Sequence, residues 1–231
     1  MNKLLIGTAV ITTTALLSVS AHAAVEANIG ATSNYLWRGI TQTDDAVAVQ
    51  GGIDYSHDVG FYAGTWASNV DFGNETSYEI DFYAGFAGSI GDEFGYDISY
   101  LYYAYPDADD SVDFGEVTLA ASWKWIEVSY AHVVNAGSDV TGVPALDEKD
   151  MGYLQTTVTL PLSDTLSVAA HYGYSTGDVV TAWYGTDNYA DYSLSLSKDT
   201  DFGTVSFMVS DTDLEEDDAK VLLGYSYSFD L

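Results

Sequence analysis

Apolar and polar side chains alternate with a period of two through most of the chain from residue 24 onward, as they do along half-buried β-strands. The clearest runs set Tyr78, Ile80, Phe82, Ala84 and Phe86 against Glu79, Asp81, Tyr83 and Gly85, and Phe94, Tyr96, Ile98, Tyr100 and Tyr102 against Gly95, Asp97 and Ser99. Leu166, Val168, Ala170, Tyr172 and Tyr174 alternate likewise with Ser167, His171, Gly173 and Ser175, and a last run carries Val221, Leu223, Tyr225, Tyr227, Phe229 and Leu231. The first run puts Val25, Ala27, Ile29, Ala31, Tyr35 and Trp37 on an apolar face and Glu26, Asn28, Thr32, Asn34 and Arg38 on a polar one. Between residues 61 and 70 the faces do not separate, because Phe61 and Ala63 compete with Tyr62 and Trp66. No convincing helical period is present.

The runs amount to about twelve strands of roughly 9–12 residues, close to what a tilted strand needs to cross a bilayer. Short connections at residues 57–60, 91–93, 123–125, 162–165 and 198–201 alternate with longer ones at 41–46, 71–76, 106–112, 135–150, 176–188 and 211–218. An even number of antiparallel strands with tight turns on one rim and long loops on the other predicts a transmembrane up-and-down β-barrel, all-β, with both termini on the short-turn side. A water-soluble sandwich also alternates. Its edges need lysines for protection, and this chain has almost none.

The start of the chain changes the picture again. Met1-Asn2-Lys3, an apolar run from Leu4 to Val19 and Ala21-His22-Ala23 together read as a signal peptide over residues 1–23, with a mature barrel over 24–231. There is no cysteine, so stability rests on burial and backbone pairing. Lys3 is one of only six basic residues, against 35 acidic ones. Such a balance excludes a nucleic-acid partner. The chain is nevertheless 47% hydrophobic and 14% aromatic, which excludes a disordered acidic chain. Its 19 tyrosines suit strands and membrane interfaces.

Residues 34–40 (Asn-Tyr-Leu-Trp-Arg-Gly-Ile), 50–55 (Gln-Gly-Gly-Ile-Asp-Tyr), 60–70 (Gly-Phe-Tyr-Ala-Gly-Thr-Trp-Ala-Ser-Asn-Val) and 79–85 (Glu-Ile-Asp-Phe-Tyr-Ala-Gly) resemble the TorF-like porin family of Gram-negative bacteria. The resemblance covers residues 33–88, and the rest agrees in length and strand rhythm. It implies an outer-membrane, porin-like role and carries over no catalytic or binding residue. The last alternating strand also resembles the segment by which the barrel assembly machinery recognises its clients, with Leu231 where that pattern usually has Phe.

The polar face supplies the candidate chemistry. Glu26, Asp54, Glu79, Asp81, Asp97, Glu116, Glu127 and Asp191 stand there against Arg38, Lys220 and, near a turn, Lys124. Carboxylates outnumber cations, so full internal pairing is impossible and a hydrated, negative lumen that favours cations or neutral solutes is expected. The competing reading has these groups at the rims, facing bulk water. Arg38 is placed to hold two carboxylates in forked hydrogen bonds that would fix the first loop near the outer mouth, but a structural ion pair with no bearing on transport is the favoured role. Inward Tyr83, Tyr103 and Tyr153, or an infolded loop at 135–150, are able to narrow the bore. The acidic loops at 107–113 and 211–218 match a calcium-loop pattern weakly. Other function classes are a non-conducting structural or adhesive barrel and a membrane-embedded hydrolase. For the last, no serine is singled out near His57, His132 or His171. No cofactor or resident metal is implied. The expected partners are outer-membrane lipid and lipopolysaccharide, the assembly machinery and small solutes.

Overall fold

The computed structural model describes residues 24–215 and 217–231. The expected signal peptide, residues 1–23, lies outside them. Twelve antiparallel strands close on themselves. They are β1 (Ala24–Thr32), β4 (Ala48–Ser56), β5 (Phe61–Asn69), β6 (Tyr78–Ile90), β7 (Phe94–Ala104), β8 (Phe114–Trp123), β9 (Ile126–Ala136), β10 (Gly152–Ser163), β11 (Leu166–Thr176), β12 (Asn188–Thr200), β13 (Gly203–Thr212) and β14 (Lys220–Asp230). Each strand pairs with its sequence neighbour in the barrel, and β1 seals against β14 from Glu26↔Asp230 to Thr32↔Gly224. Closure gives each strand a neighbour on both sides, which leaves no open edge.

The alternation in the sequence becomes an inside and an outside. Phe82, Leu119, Leu194 and Leu223 are each more than half exposed on the outer face, an arrangement stable only against hydrocarbon. Exposed Phe61, Phe94, Trp123, Trp125, Tyr225 and Phe229 ring the short-turn end, where interfacial aromatics belong. Strand β5, whose faces the sequence left open, turns Phe61 and Ala67 outward and Tyr62, Trp66 and Ser68 inward. Its register fixes this, since Phe61 pairs with outward Phe86 and Trp66 with inward Asp81.

Two elements lie off the barrel wall. The chain leaves β1 at Thr32 and folds a small hairpin, β2 (Leu36–Trp37) and β3 (Ile40–Thr41), into the barrel. Arg38 and Gly39 between them both have positive φ, 51° and 82°, the backbone of a two-residue type I′ turn. The placement of Tyr35 and Trp37 on the outward apolar face of a first strand is therefore corrected. Both are buried inside, because the strand ends before them and the turn reverses the chain toward the lumen. The second element is α1 (Asp178–Tyr184), a helix of under two turns, too short to leave a period in the sequence; Gly185 ends it in the left-handed conformation. Val179 and Val180 of α1 pack with Trp37, Tyr103, Phe114, Val140, Met151 and Tyr189 into an apolar core at the long-loop end.

Candidate functional site: the lumen

The structure sorts the acidic face by height in the barrel. Glu79, Asp81, Glu116 and Asp191 lie toward the long loops and are nearly fully buried, between 1% and 3% exposed. Asp54, Asp97, Glu127 and Glu26 lie toward the short turns. There Asp97 is buried, Asp54 and Glu127 are half-buried, and Glu26, whose register partners are Asp54 and Asp230, is exposed.

The hairpin accounts for the burial of the upper set. Arg38 reaches across the barrel from the β1 side and its Nη2 donates to Glu116 Oε1 at 2.5 Å. The guanidinium stacks between the rings of Trp37 (4.1 Å) and Tyr153 (4.3 Å). Tyr35 donates to Glu79 (2.8 Å), the Trp37 indole N–H to the Tyr103 hydroxyl (3.3 Å), and Tyr189 to the Arg38 carbonyl (3.1 Å). Asn34 ties the base of the hairpin together, accepting from Thr41 (2.7 Å) and donating to Asp45 (2.6 Å). Of the two readings of Arg38, the fork between two carboxylates is corrected to an ion pair with one carboxylate, flanked by two aromatic faces. The arginine sits at the inner tip of a hairpin rather than at a strand end, so the first loop is held inside the lumen.

Four inward tyrosines share one habit, which is to donate to a carboxylate. Tyr83 donates to Asp54, Tyr62 to Asp97 (2.8 Å), Tyr103 to Glu116 (3.3 Å) and Tyr153 to Asp191 (3.0 Å). Tyr83 and Tyr62 lie flat over Gly64 and Gly85, their partners in register. These two rings therefore clad the wall rather than cross the bore, while Tyr103 and Tyr153 pack against the hairpin. His171 is buried beside them, with its Nε2 3.0 Å from Asp191 and its Nδ1 3.0 Å from the Thr157 hydroxyl. His132 lies exposed outside, stacked on Tyr130.

Few cations remain for the acids. Lys220 pairs with Asp217 beside the loop end of β14, and Lys124 pairs with Glu93 on the turn rim at 3.3 Å, away from the lumen. Four buried side-chain atoms here have no hydrogen-bond partner among the described residues: Arg38 Nη1, Asp81 Oδ1, Asp97 Oδ1 and Ser175 Oγ.

In the loops, several carboxylates bond to the chain itself. Asp107 accepts from the Ser77 hydroxyl (2.5 Å) and N–H (2.9 Å), which holds its carboxyl below the usual carboxylate range. Asp113 accepts from the Tyr105 N–H (2.8 Å), and Asp213 from the Ala190 N–H (2.7 Å). Among the described residues, no three His, Asp or Glu side chains converge as metal ligands. The sequence did not reveal the hairpin's partners, Trp37 with Tyr103, Phe114 and Trp183. The Trp-Arg-Gly-Ile turn was the available signal for them.

Comparison with known proteins gives a family and a fold. A family profile described as "Bacterial protein of unknown function (Gcw_chp)" matches residues 18–226. No curated protein matches the chain significantly. Among solved structures, a KdgM porin is similar over 88% of this chain and 99% of its own, with 11% identity and a TM-score of 0.61. The COG4313 outer membrane channel from Pseudomonas putida F1 is similar over 95% and 99%, with 10% identity and a TM-score of 0.60. A structure of KdgM porin in complex with disordered oligogalacturonate matches with a TM-score of 0.58 at 9% identity, covering 89% of this chain and 99% of that one. The likeness at these identities is one of fold, to channels of the outer-membrane barrel type.

Proposed function

This chain belongs to the Gcw_chp family, and from its architecture we propose that it is an outer-membrane channel, not an enzyme, through which small cations and neutral solutes diffuse passively. One observation carries the reading. The inner wall of a closed barrel with a lipid-type exterior bears eight carboxylates, while Arg38 and Lys220 are both already paired. An excess of one sign in a confined, low-dielectric space concentrates counter-ions and repels co-ions. Glu26, Asp54, Asp97 and Glu127 set that field at the turn-side entrance. Glu79, Asp81, Glu116 and Asp191, with Arg38, set it at the constriction. The TorF-like resemblance of residues 33–88 supports the same role, and the proposal includes export through a signal at residues 1–23 and delivery by the assembly machinery to a site among lipid and lipopolysaccharide. The oligogalacturonate of the KdgM complex is a chain of acids, and the field of this lumen disfavours such a solute here.

Conductance in planar bilayers with purified protein tests the proposal. Currents whose reversal potential in a salt gradient favours cations are expected, and anion preference would overturn the charge reading. A second reading, a non-conducting structural or adhesive barrel, draws on the packing of the hairpin and α1 across the loop-side half. Absence of current would decide for it.

A further inference from the structure

We propose that Glu79 and Asp81 form a binding point for a small monovalent cation, sodium or potassium, on the inner wall beneath the hairpin. The two residues are i and i+2 on β6, so both side chains face inward, about 7 Å apart along the strand. They are 1% and 3% exposed. Glu79 accepts a hydrogen bond from Tyr35, whereas Asp81 Oδ1 is buried with no partner among the described residues.

Among the described residues, the cations lie elsewhere. Arg38 is on Glu116, Lys220 on Asp217, Lys124 on Glu93, and Lys198 donates to Thr165 at the turn rim. Lys149 is exposed in a loop, and His171 is held by Asp191, Tyr153 and Thr157. Two neighbouring carboxylates in a water-poor region, with one oxygen unsatisfied, are stabilised by a positive charge from outside the chain, be it an ion or a proton.

The donor chemistry selects the kind of ion. Carboxylate and phenol oxygens are hard ligands, suited to alkali and alkaline-earth ions rather than to soft metals. A calcium cage takes six to eight oxygens, and no group of three or more acidic or histidine ligands converges among the described residues. Two carboxylates and a hydroxyl instead suit a weakly held, exchanging monovalent ion. The Tyr35 hydroxyl belongs to the hairpin, so occupancy of the point also steadies the infolded loop. The proposal deepens the cation-channel reading above. Its test is one of binding, so that either can fail without the other.

Unfolding of the purified full-length mature protein in detergent is followed in sodium chloride, potassium chloride and N-methylglucamine chloride at equal ionic strength. At a tenfold excess over the dissociation constant, sodium or potassium is expected to raise the midpoint by about 3–6 °C relative to the bulky organic cation. Asp81→Asn is expected to abolish the difference while unfolding no lower than wild type in N-methylglucamine. Should that variant not fold, Glu79→Gln is expected to reduce the difference. Equal wild-type midpoints in all three salts would overturn the proposal, as would a difference that survives in Asp81→Asn. A midpoint that rises with falling pH and ignores the salt would mean that the pair shares a proton instead, which also overturns it. A cation-specific shift in a protein that passes no current would uphold the binding point and overturn the channel.

Discussion

Glu116 and Asp54 both face the inside of the barrel and both accept a tyrosine hydroxyl, yet one is sealed beneath the hairpin and the other is half open to the lumen. The contrast runs through the whole interior. The loop-side half is filled by β2, β3, α1 and their aromatics, and its acids anchor that filling. In the turn-side half Glu26 is exposed, and Asn28 and Ser206 remain half open. The same residue type is thus tied to two tasks. Near the loops a carboxylate anchors the infolded hairpin, and near the turns, on the proposed channel reading, it sets the charge of a vestibule.

Substitutions at the constriction should have the largest effects. Arg38→Ala leaves Glu116 as a buried, unpaired charge, a change that costs about 3–5 kcal/mol. The hairpin should detach, single-channel conductance should rise several-fold, and residues 33–47 should become open to protease. Gly39→Val should act in the same direction less strongly. Gly39 has φ of +82°, and an added Cβ would lie 2.7 Å from Thr212 and 2.8 Å from Asp191 side-chain atoms; the backbone strain alone is about 1–2 kcal/mol.

Tyr35→Phe removes the hydroxyl bonded to Glu79, at a cost of about 1–3 kcal/mol. Hairpin opening should then be detectable by hydrogen exchange without a lasting change in mean conductance. In the vestibule, Glu26→Gln should lower the cation-to-anion permeability ratio modestly, only at low salt, and leave the hairpin closed. If Glu26→Gln instead opened the hairpin, the division of labour between the halves would fail.

The smallest effect concerns the outer loops. The Asp107 carboxyl is lowered by its bonds to Ser77, so the docking it provides is complete above the ordinary carboxylate pKa and disappears as pH falls through the depressed one. Hydrogen exchange at Ser77 should therefore quicken only below about pH 4.

Much of the wall was legible because burial on one side and lipid on the other imposes a strict period of two, as in β6 and β7. The bore was harder to read. Tyr35 and Trp37 keep the parity of the strand before them, so alternation alone carried the strand past Thr32. The reversal depends on Arg38 and Gly39 adopting positive φ, and the usual signal for that turn is Asn-Gly rather than Arg-Gly. The partners of Arg38 lie far away in sequence, Glu116 at a separation of 78 residues and Tyr189 at 151. No local spacing encodes such pairings. Helix α1 escaped notice for a different reason, since its two buried valines are adjacent and trace no stripe.

The flat tyrosines of the lower wall have a last consequence. Tyr83 rests on Gly64 so closely that a Cβ there would lie 2.5–2.6 Å from three of its side-chain atoms. Alanine at residue 64 would tip the ring off its glycine bed and swing it toward the axis. On the proposed channel reading, one methyl group would then act as a throttle on the flow of ions, with every charge in the molecule left as it was.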